Sequence, residues 1–194
     1  MQIAADVVLV GILVAASVTD LRTGRIRNTL AVPAIALGLL LAGLAGLASG
    51  GWAGAQAQLA NHALGAAVAF VVMFVCFSLG GIGGGDVKLM TAVGAFLGWS
   101  RADAGLLTPY ALFYAFAVGA ILGLLAALWR GQMGVTAVRT WWGVRMLLAG
   151  QPMGDAVPKT SIKVPFGFAT AVGTLWLLAE NYAGVTLGQA IGLS

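Results

Sequence analysis

Residues 28–85 contain no Asp, Glu, Lys or Arg, and this uncharged stretch leaves few folds open to the chain. A soluble domain needs charged side chains on its surface, whereas a bilayer solvates apolar ones. The rest of the chain follows the same trend, since 60% of its 194 residues are hydrophobic and only 8% are charged. We therefore interpret residues 1–194 as a single membrane-embedded domain.

The hydropathy pattern predicts an all-α polytopic membrane protein with about six transmembrane helices. A helix needs about 20 mostly apolar residues to cross the hydrocarbon. The segment 49–62 contains Gly, Gln and Asn and divides the uncharged stretch in two. The predicted spans are residues 3–20, 28–49, 62–80, 89–100, 104–129 and 165–185. Residues 130–164 form the longest loop, in which an interfacial helix around Trp141 and Trp142 or an ordinary solvated loop is expected.

The basic residues predict the orientation. Cytoplasmic loops of membrane proteins carry an excess of Lys and Arg. If the first loop is cytoplasmic, only Arg101 falls outside, and nine of the ten basic residues fall inside: Arg22, Arg25, Arg27, Lys88, Arg130, Arg139, Arg145, Lys159 and Lys163. We therefore expect both termini to face outward, and we read the first segment as a permanent span, because it lacks the basic start of a signal peptide.

Two carboxylates stand apart from the other acidic residues. Asp20 closes the first predicted span, and Asp86 lies between the third and the fourth. Because the chain crosses the membrane twice between them, both belong on the same face at similar depth, where ionisable groups indicate function. Loop or helix capping is the structural alternative for each. Capping does not explain the glycines before Asp86 (Gly83, Gly84 and Gly85), which let the backbone approach another segment closely.

Two carboxyl groups brought together share one proton and titrate as a pair. One can take a proton from water while the other protonates a scissile carbonyl, which hydrolyses a peptide without a metal or a cofactor. Other hydrolytic chemistry has little support, because the one histidine, His62, is expected near the outer end of a span. The one cysteine, Cys76, lies in an apolar run and cannot build a cysteine-based zinc site.

Three segments resemble those of the type IV prepilin peptidases, which are membrane-embedded GxGD aspartyl proteases. Gly83-Gly84-Gly85-Asp86-Val87-Lys88-Leu89 resembles the GxGDxKL motif of that family. Asp20-Leu21-Arg22, followed by Arg25-Ile26 and Asn28, resembles its first-aspartate segment, with Arg27 where proline is usual. Val164-Pro165-Phe166-Gly167 resembles the segment that opens its last helix.

The resemblance implies an aspartic endopeptidase that removes the short basic leader of a prepilin or pseudopilin, next to the substrate's hydrophobic helix. Asp20 and Asp86 would be catalytic, with Gly83, Gly84, Gly85, Lys88, Asn28, Pro165 and Gly167 in support. It further implies a bacterial inner membrane protein whose site faces the cytoplasm among lipid, with no nucleic-acid partner. The short form is similar to peptidases of tight-adherence (Flp) pilus systems. The cysteine motifs of longer relatives are missing, so N-methyltransferase activity is not expected.

A small proton-coupled transporter or channel is the main alternative, because paired carboxylates can also carry protons or ions. It predicts polar residues along a path through the whole bilayer. The predicted fifth span, 104–129, has almost no polar lining, and the functional acids fall at one face. A non-catalytic assembly scaffold is a weaker alternative, which leaves the GGGD spacing unexplained.

Overall fold

The computed structural model describes residues 2–79, 82–101, 105–131 and 165–184, together with positions 133, 134, 138, 141 and 145. The described part is almost wholly helical, as the sequence predicts. Its helices are α1 (Gln2–Thr23), α2 (Asn28–Ser78), α3 (Gly84–Leu97), α4 (Leu107–Trp129) and α5 (Phe166–Ala183). A two-residue antiparallel pairing that was not predicted, β1 (Ser100–Arg101) with β2 (Gly105–Leu106), lies between α3 and α4.

Helix α2 is two helical arms, 28–49 and 52–78, joined by a break at Gly50 and Gly51. Gly51 has a φ of 60°, a conformation that favours glycine. The arms fold back on each other, and a Cβ built on Gly43 would lie 3.4 Å from the Leu59 side chain. The predicted interruption over 49–62 is therefore too wide, because most of that segment stays helical and two residues suffice for the turn.

Three of the described helices, α1, α2 and α4, are long and apolar enough to cross a membrane. Helix α3 has only 14 residues, fewer than the roughly 17–25 that a full crossing needs. Helix α5, with 18 residues, is not among the three candidate spans. These features fit a membrane protein. The count of six spans stays a prediction, and the expected interfacial helix in 130–164 lies almost entirely outside the described residues.

Helix α3 is the most enclosed of the described helices, because all its residues from Leu89 to Leu97 are buried. Its close neighbour is α2, since a Cβ on Gly38 would lie 2.9 Å from the Ala95 backbone. A Cβ on Gly65 in the other arm would lie 2.7 Å from the carbonyl oxygen of Gly94. Small residues thus let both arms of α2 approach α3. A helix that is apolar all round belongs in such a place.

Helices α1 and α5 run antiparallel, and contacts at both ends fix their register. At one end the backbone N–H of Gly167 donates to Asp20 Oδ2, with an N···O distance of 2.8 Å. At the other end the Tyr182 hydroxyl donates to Asp6 Oδ2 at 2.7 Å. We call the first end, with residues 20–28, 83–88 and 165–167, the carboxylate end. The opposite end holds residues 2–6, 49–62, 98–101 and 180–182.

Candidate active site

Asp20 lies on the buried side of α1, one turn beyond Ala16 and Ser17, and only 7% of its surface is exposed. Its Oδ2 accepts the hydrogen bond from the Gly167 N–H. Gly24, whose φ is 62°, ends the helix by donating its N–H to the Asp20 carbonyl oxygen at 2.7 Å. The hydrogen bond from Gly167 therefore shows that the Asp20 side chain faces the start of α5.

Asp86 is the third residue of α3 and is half-buried. Its Oδ2 accepts a hydrogen bond from the Gly83 N–H at 3.1 Å, so the carboxyl group caps the start of the helix. Gly84 and Gly85 belong to the first helical turn, so α3 begins before the predicted fourth span, 89–100. Burial raises the pKa of Asp86 to about 6; the Gly83 N–H opposes this change, and the charge of Asp20 adds to it.

Ile26 joins the three segments at the carboxylate end. It is buried, and a Cβ on Gly85 would lie 3.1 Å from Ile26 Cβ. A Cβ on Gly167 would lie 2.8 Å from Ile26 Cδ1 and 2.9 Å from Asp20 Oδ2. The two glycines thus let the starts of α3 and α5 close around one side chain. Ile26 was not among the predicted site residues; its position between two glycine-bearing segments could have suggested this role.

Lys88 lies two residues beyond Asp86, but it forms a hydrogen bond with another segment. Its Nζ donates to Asn28 Oδ1 at 2.8 Å. Residues two apart on a helix point about 200° away from each other, which explains why Lys88 reaches the first turn of α2. This contact ties α3 to the segment that follows Asp20.

Pro165 stands at the N-cap position of α5 with a φ of −72°, and its carbonyl oxygen accepts from the Ala169 N–H at 3.2 Å. Proline cannot donate a backbone hydrogen bond, which costs nothing at a helix start. Gly167 follows in the first turn. The structure therefore brings Asp20, Asp86 and all seven predicted supporting residues to the carboxylate end.

Other acidic residues make contacts at the opposite end. Asp6 is buried in an ion pair with Arg101, at 3.1 Å between Oδ1 and Nη2, and also binds Tyr182. Glu180 Oε2 accepts from the Tyr114 hydroxyl at 2.7 Å. These contacts link α1, α4 and α5, which is a structural role. The two remaining acids, at positions 103 and 155, lie outside the described residues.

His62 also belongs to the opposite end, where its Nδ1 lies 2.9 Å from the Ala95 carbonyl oxygen. It borders a cavity of about 490 Å³ that is separate from the two carboxylates. Cys76 is half-buried in α2. Within the described ranges, no three His, Cys, Asp or Glu side chains cluster as a metal site would require.

Residues 7–124 match the sequence model of the type IV leader peptidase family. This chain belongs to that family. The matched range contains both Asp20 and Asp86, whereas Pro165 and Gly167 lie beyond it.

Two similar proteins carry the name prepilin leader peptidase/N-methyltransferase, from Burkholderia pseudomallei strains 1026b and K96243. Each is 34% identical to this leader peptidase family member over 124 residues, which is 62% of this chain. The chain spans only about a third of the length of these relatives, 36% in each case. No solved structure matches it.

Proposed function

We propose that this chain is a membrane aspartic endopeptidase that removes the basic leader of prepilin-like substrates, with Asp20 and Asp86 as its catalytic pair. The observation that carries the proposal is the position of both carboxyls at the carboxylate end, where Gly83 binds Asp86 and Gly167 binds Asp20, and where burial and, to a smaller extent, the charge of Asp20 raise the pKa of Asp86. Neighbouring carboxyl groups share a proton in preference to ionising together. Membership of the leader peptidase family supports the same reading.

In the proposed reaction Asp86 is the acid and Asp20 is the base. Asp20 takes a proton from water as the water oxygen adds to the scissile carbonyl carbon, and Asp86 gives its proton to the carbonyl oxygen. The tetrahedral intermediate then collapses: the C–N bond breaks, the amine nitrogen gains a proton from Asp20, and Asp86 regains one from the intermediate's hydroxyl. Leader carboxyl and mature amine are released, and the pair returns to its starting state.

The site is proposed to face the cytoplasm of the inner membrane, where a leader would join its hydrophobic helix. The charges at the carboxylate end support this orientation, because Arg22, Arg25, Arg27 and Lys88 lie there, whereas Arg101 lies at the opposite end. We further propose one membrane domain and cleavage without metal or methyl transfer. The relatives named for both activities match over only 36% of their length.

The experiment is to incubate the purified protein with a synthetic substrate that has a basic leader and a hydrophobic segment. We expect one cut at the junction, identified by N-terminal sequencing, with EDTA leaving the rate unchanged. A methyl donor is included, and intact mass shows whether the new N-terminus gains about 14 mass units. Absence of cleavage, together with proton uptake by proteoliposomes of the same protein, would favour the transporter instead.

A further inference from the structure

Two hydroxyl groups on α5 have no hydrogen-bond partner among the described residues: Thr170 Oγ1 and Thr174 Oγ1. Both threonines are 0% exposed. Several hydroxyls in other described helices bond to a backbone carbonyl one turn earlier, as Ser17 does to Leu13 at 2.8 Å and Thr91 to Val87 at 2.7 Å. Leaving a buried hydroxyl unpaired is costly. We therefore expect each of these two hydroxyl groups to have a hydrogen-bond partner from outside the chain.

The two hydroxyl groups lie in line with Asp20. Thr170 and Thr174 are within about 60° of Gly167 around α5, and about 4.5 Å and 10.5 Å further along its axis. Gly167 binds Asp20 directly. The two residues thus form a polar row that runs from the carboxylate end into the protein.

Helix α1 supplies a third polar group to this row. The register set by the Asp20–Gly167 and Asp6–Tyr182 contacts places Ser17 at the level of Thr170. Ser17 is buried on the same stripe of α1 as Asp20. Its hydroxyl proton is engaged with Leu13, which leaves its oxygen free to accept a hydrogen bond.

We infer that Thr170 and Thr174 hold water directly beneath Asp20, and that this water supplies the hydrolytic reaction. The inference rests on the proposed function. A buried water needs two to four polar partners. Thr170 and Ser17 lie at one level, and Asp20 lies about 4.5 Å further along the helices, at the level of Gly167. The other buried residues of α1 and α5 are mostly apolar, such as Leu13 and Leu177. A hydrolase with its carboxyls among such residues needs polar groups that bring water to them. Thr170 is a positioning residue in this reaction.

The test replaces each threonine by valine, which keeps the shape and removes the hydroxyl, and measures kcat, KM and thermal unfolding. Thr170→Val should lower kcat at least about tenfold with KM within about twofold, because water, and not substrate, is lost. Its Tm should not rise. Thr170→Ser keeps the hydroxyl and should retain most of the activity. Thr174→Val, which lies further from Asp20, should show a smaller fall in kcat. It replaces Thr170→Val as the test if that variant does not fold.

Thr108→Val is the matched control, because Thr108 is equally buried but donates to the Gly98 carbonyl oxygen at 2.6 Å near the opposite end. It should lower Tm and leave kcat unchanged. A valine at 170 or 174 that raises Tm and keeps kcat would overturn the inference, since the hydroxyl would then have been unpaired. A raised KM at constant kcat would overturn it too, indicating a substrate contact. An active Asp20→Asn variant in the same assay would instead contradict the proposed function.

Discussion

The backbone N–H of Gly167 holds Asp20 Oδ2 at 2.8 Å, across 147 residues of sequence. A backbone donor of this kind fixes the direction of the carboxyl group, and it also brings the start of α5 close to α1. Both effects depend on the absence of a side chain at position 167, which makes that position a sensitive test of the site.

Gly167→Ala should reduce cleavage by about tenfold to a hundredfold. The new Cβ would lie 2.9 Å from Asp20 Oδ2 and 2.8 Å from Ile26 Cδ1, so Asp20 must move. Displacements of about 1 Å at a catalytic group have effects of this size. The control is Gly11→Ala in α1, where a Cβ meets nothing within 4 Å. That variant should keep its activity and gain about 0.5–1 kcal/mol in unfolding free energy; equal activity in the two variants would count against the role of Gly167.

Lys88 and Asn28 should act as a unit. Lys88→Met and Asn28→Ala each remove the 2.8 Å hydrogen bond that ties α3 to the start of α2, and each should slow cleavage severalfold. The double variant should be little worse than either single one, because the same contact is lost in all three. Lys88→Arg keeps a donor and should be mild. Additive effects in the double-mutant cycle would show that Lys88 acts as an independent surface anchor.

The rate should fall as pH rises through about 6. Burial raises the pKa of Asp86 from 3.8 to about 6, so its acid form, the proposed proton donor, disappears above that value. The value of kcat/KM should then fall about tenfold per pH unit. The same shift lowers stability only as pH rises between 3.8 and 6 and not above, so unfolding does not explain the loss. Thermal unfolding at pH 8 checks this point, and a rate that stays constant up to pH 9 would contradict the assignment of Asp86 as the acid.

Single cysteines should report the orientation. On a Cys76→Ser background, Arg25→Cys at the carboxylate end should resist impermeant thiol reagents in intact cells. Trp52→Cys, at a position that is 74% exposed beside the break in α2, should react. Permeabilised cells provide the control, in which both should react. Labelling at 25 but not at 52 from outside would reverse the proposed topology.

The grouping of Asp20 with Asp86 could be predicted because two membrane crossings return the chain to the same face, whatever the packing. The helical state of residues 49–62 could not. Gly, Gln and Asn there resemble a loop, yet Gly46 and Gly54 are small enough for the arms to pack in direct backbone contact, which keeps the segment helical. The composition of one segment does not show which segment of the other arm packs against it, so the helical state of 49–62 could not be predicted.

Contacts between helices that are distant in the sequence could not be predicted either. The contacts of Asp6 with Arg101 and Tyr182 depend on the register of α1 against α5. Asp6 and Tyr182 are 176 residues apart in the sequence. The position of Ile26 depends on three segments meeting at one side chain. Asp20 and Asp86 could be named in advance, because the chain has only six acidic residues and an ionisable group among apolar ones needs a reason. The supporting residues could be named because their segments resemble those of the prepilin peptidases.

The most direct test of this account is the rate of cleavage of a leader-bearing substrate by Asp20→Asn and Asp86→Asn, with Asp6→Asn as the control acid at the opposite end. Asparagine keeps the size but cannot exchange the proton, so each of the first two variants should lose about 10²–10⁴-fold in rate while remaining inserted and folded. Asp6→Asn should lower Tm and retain cleavage, because its ion pair with Arg101 is structural. A near-normal rate in either Asp20→Asn or Asp86→Asn would contradict the catalytic pair.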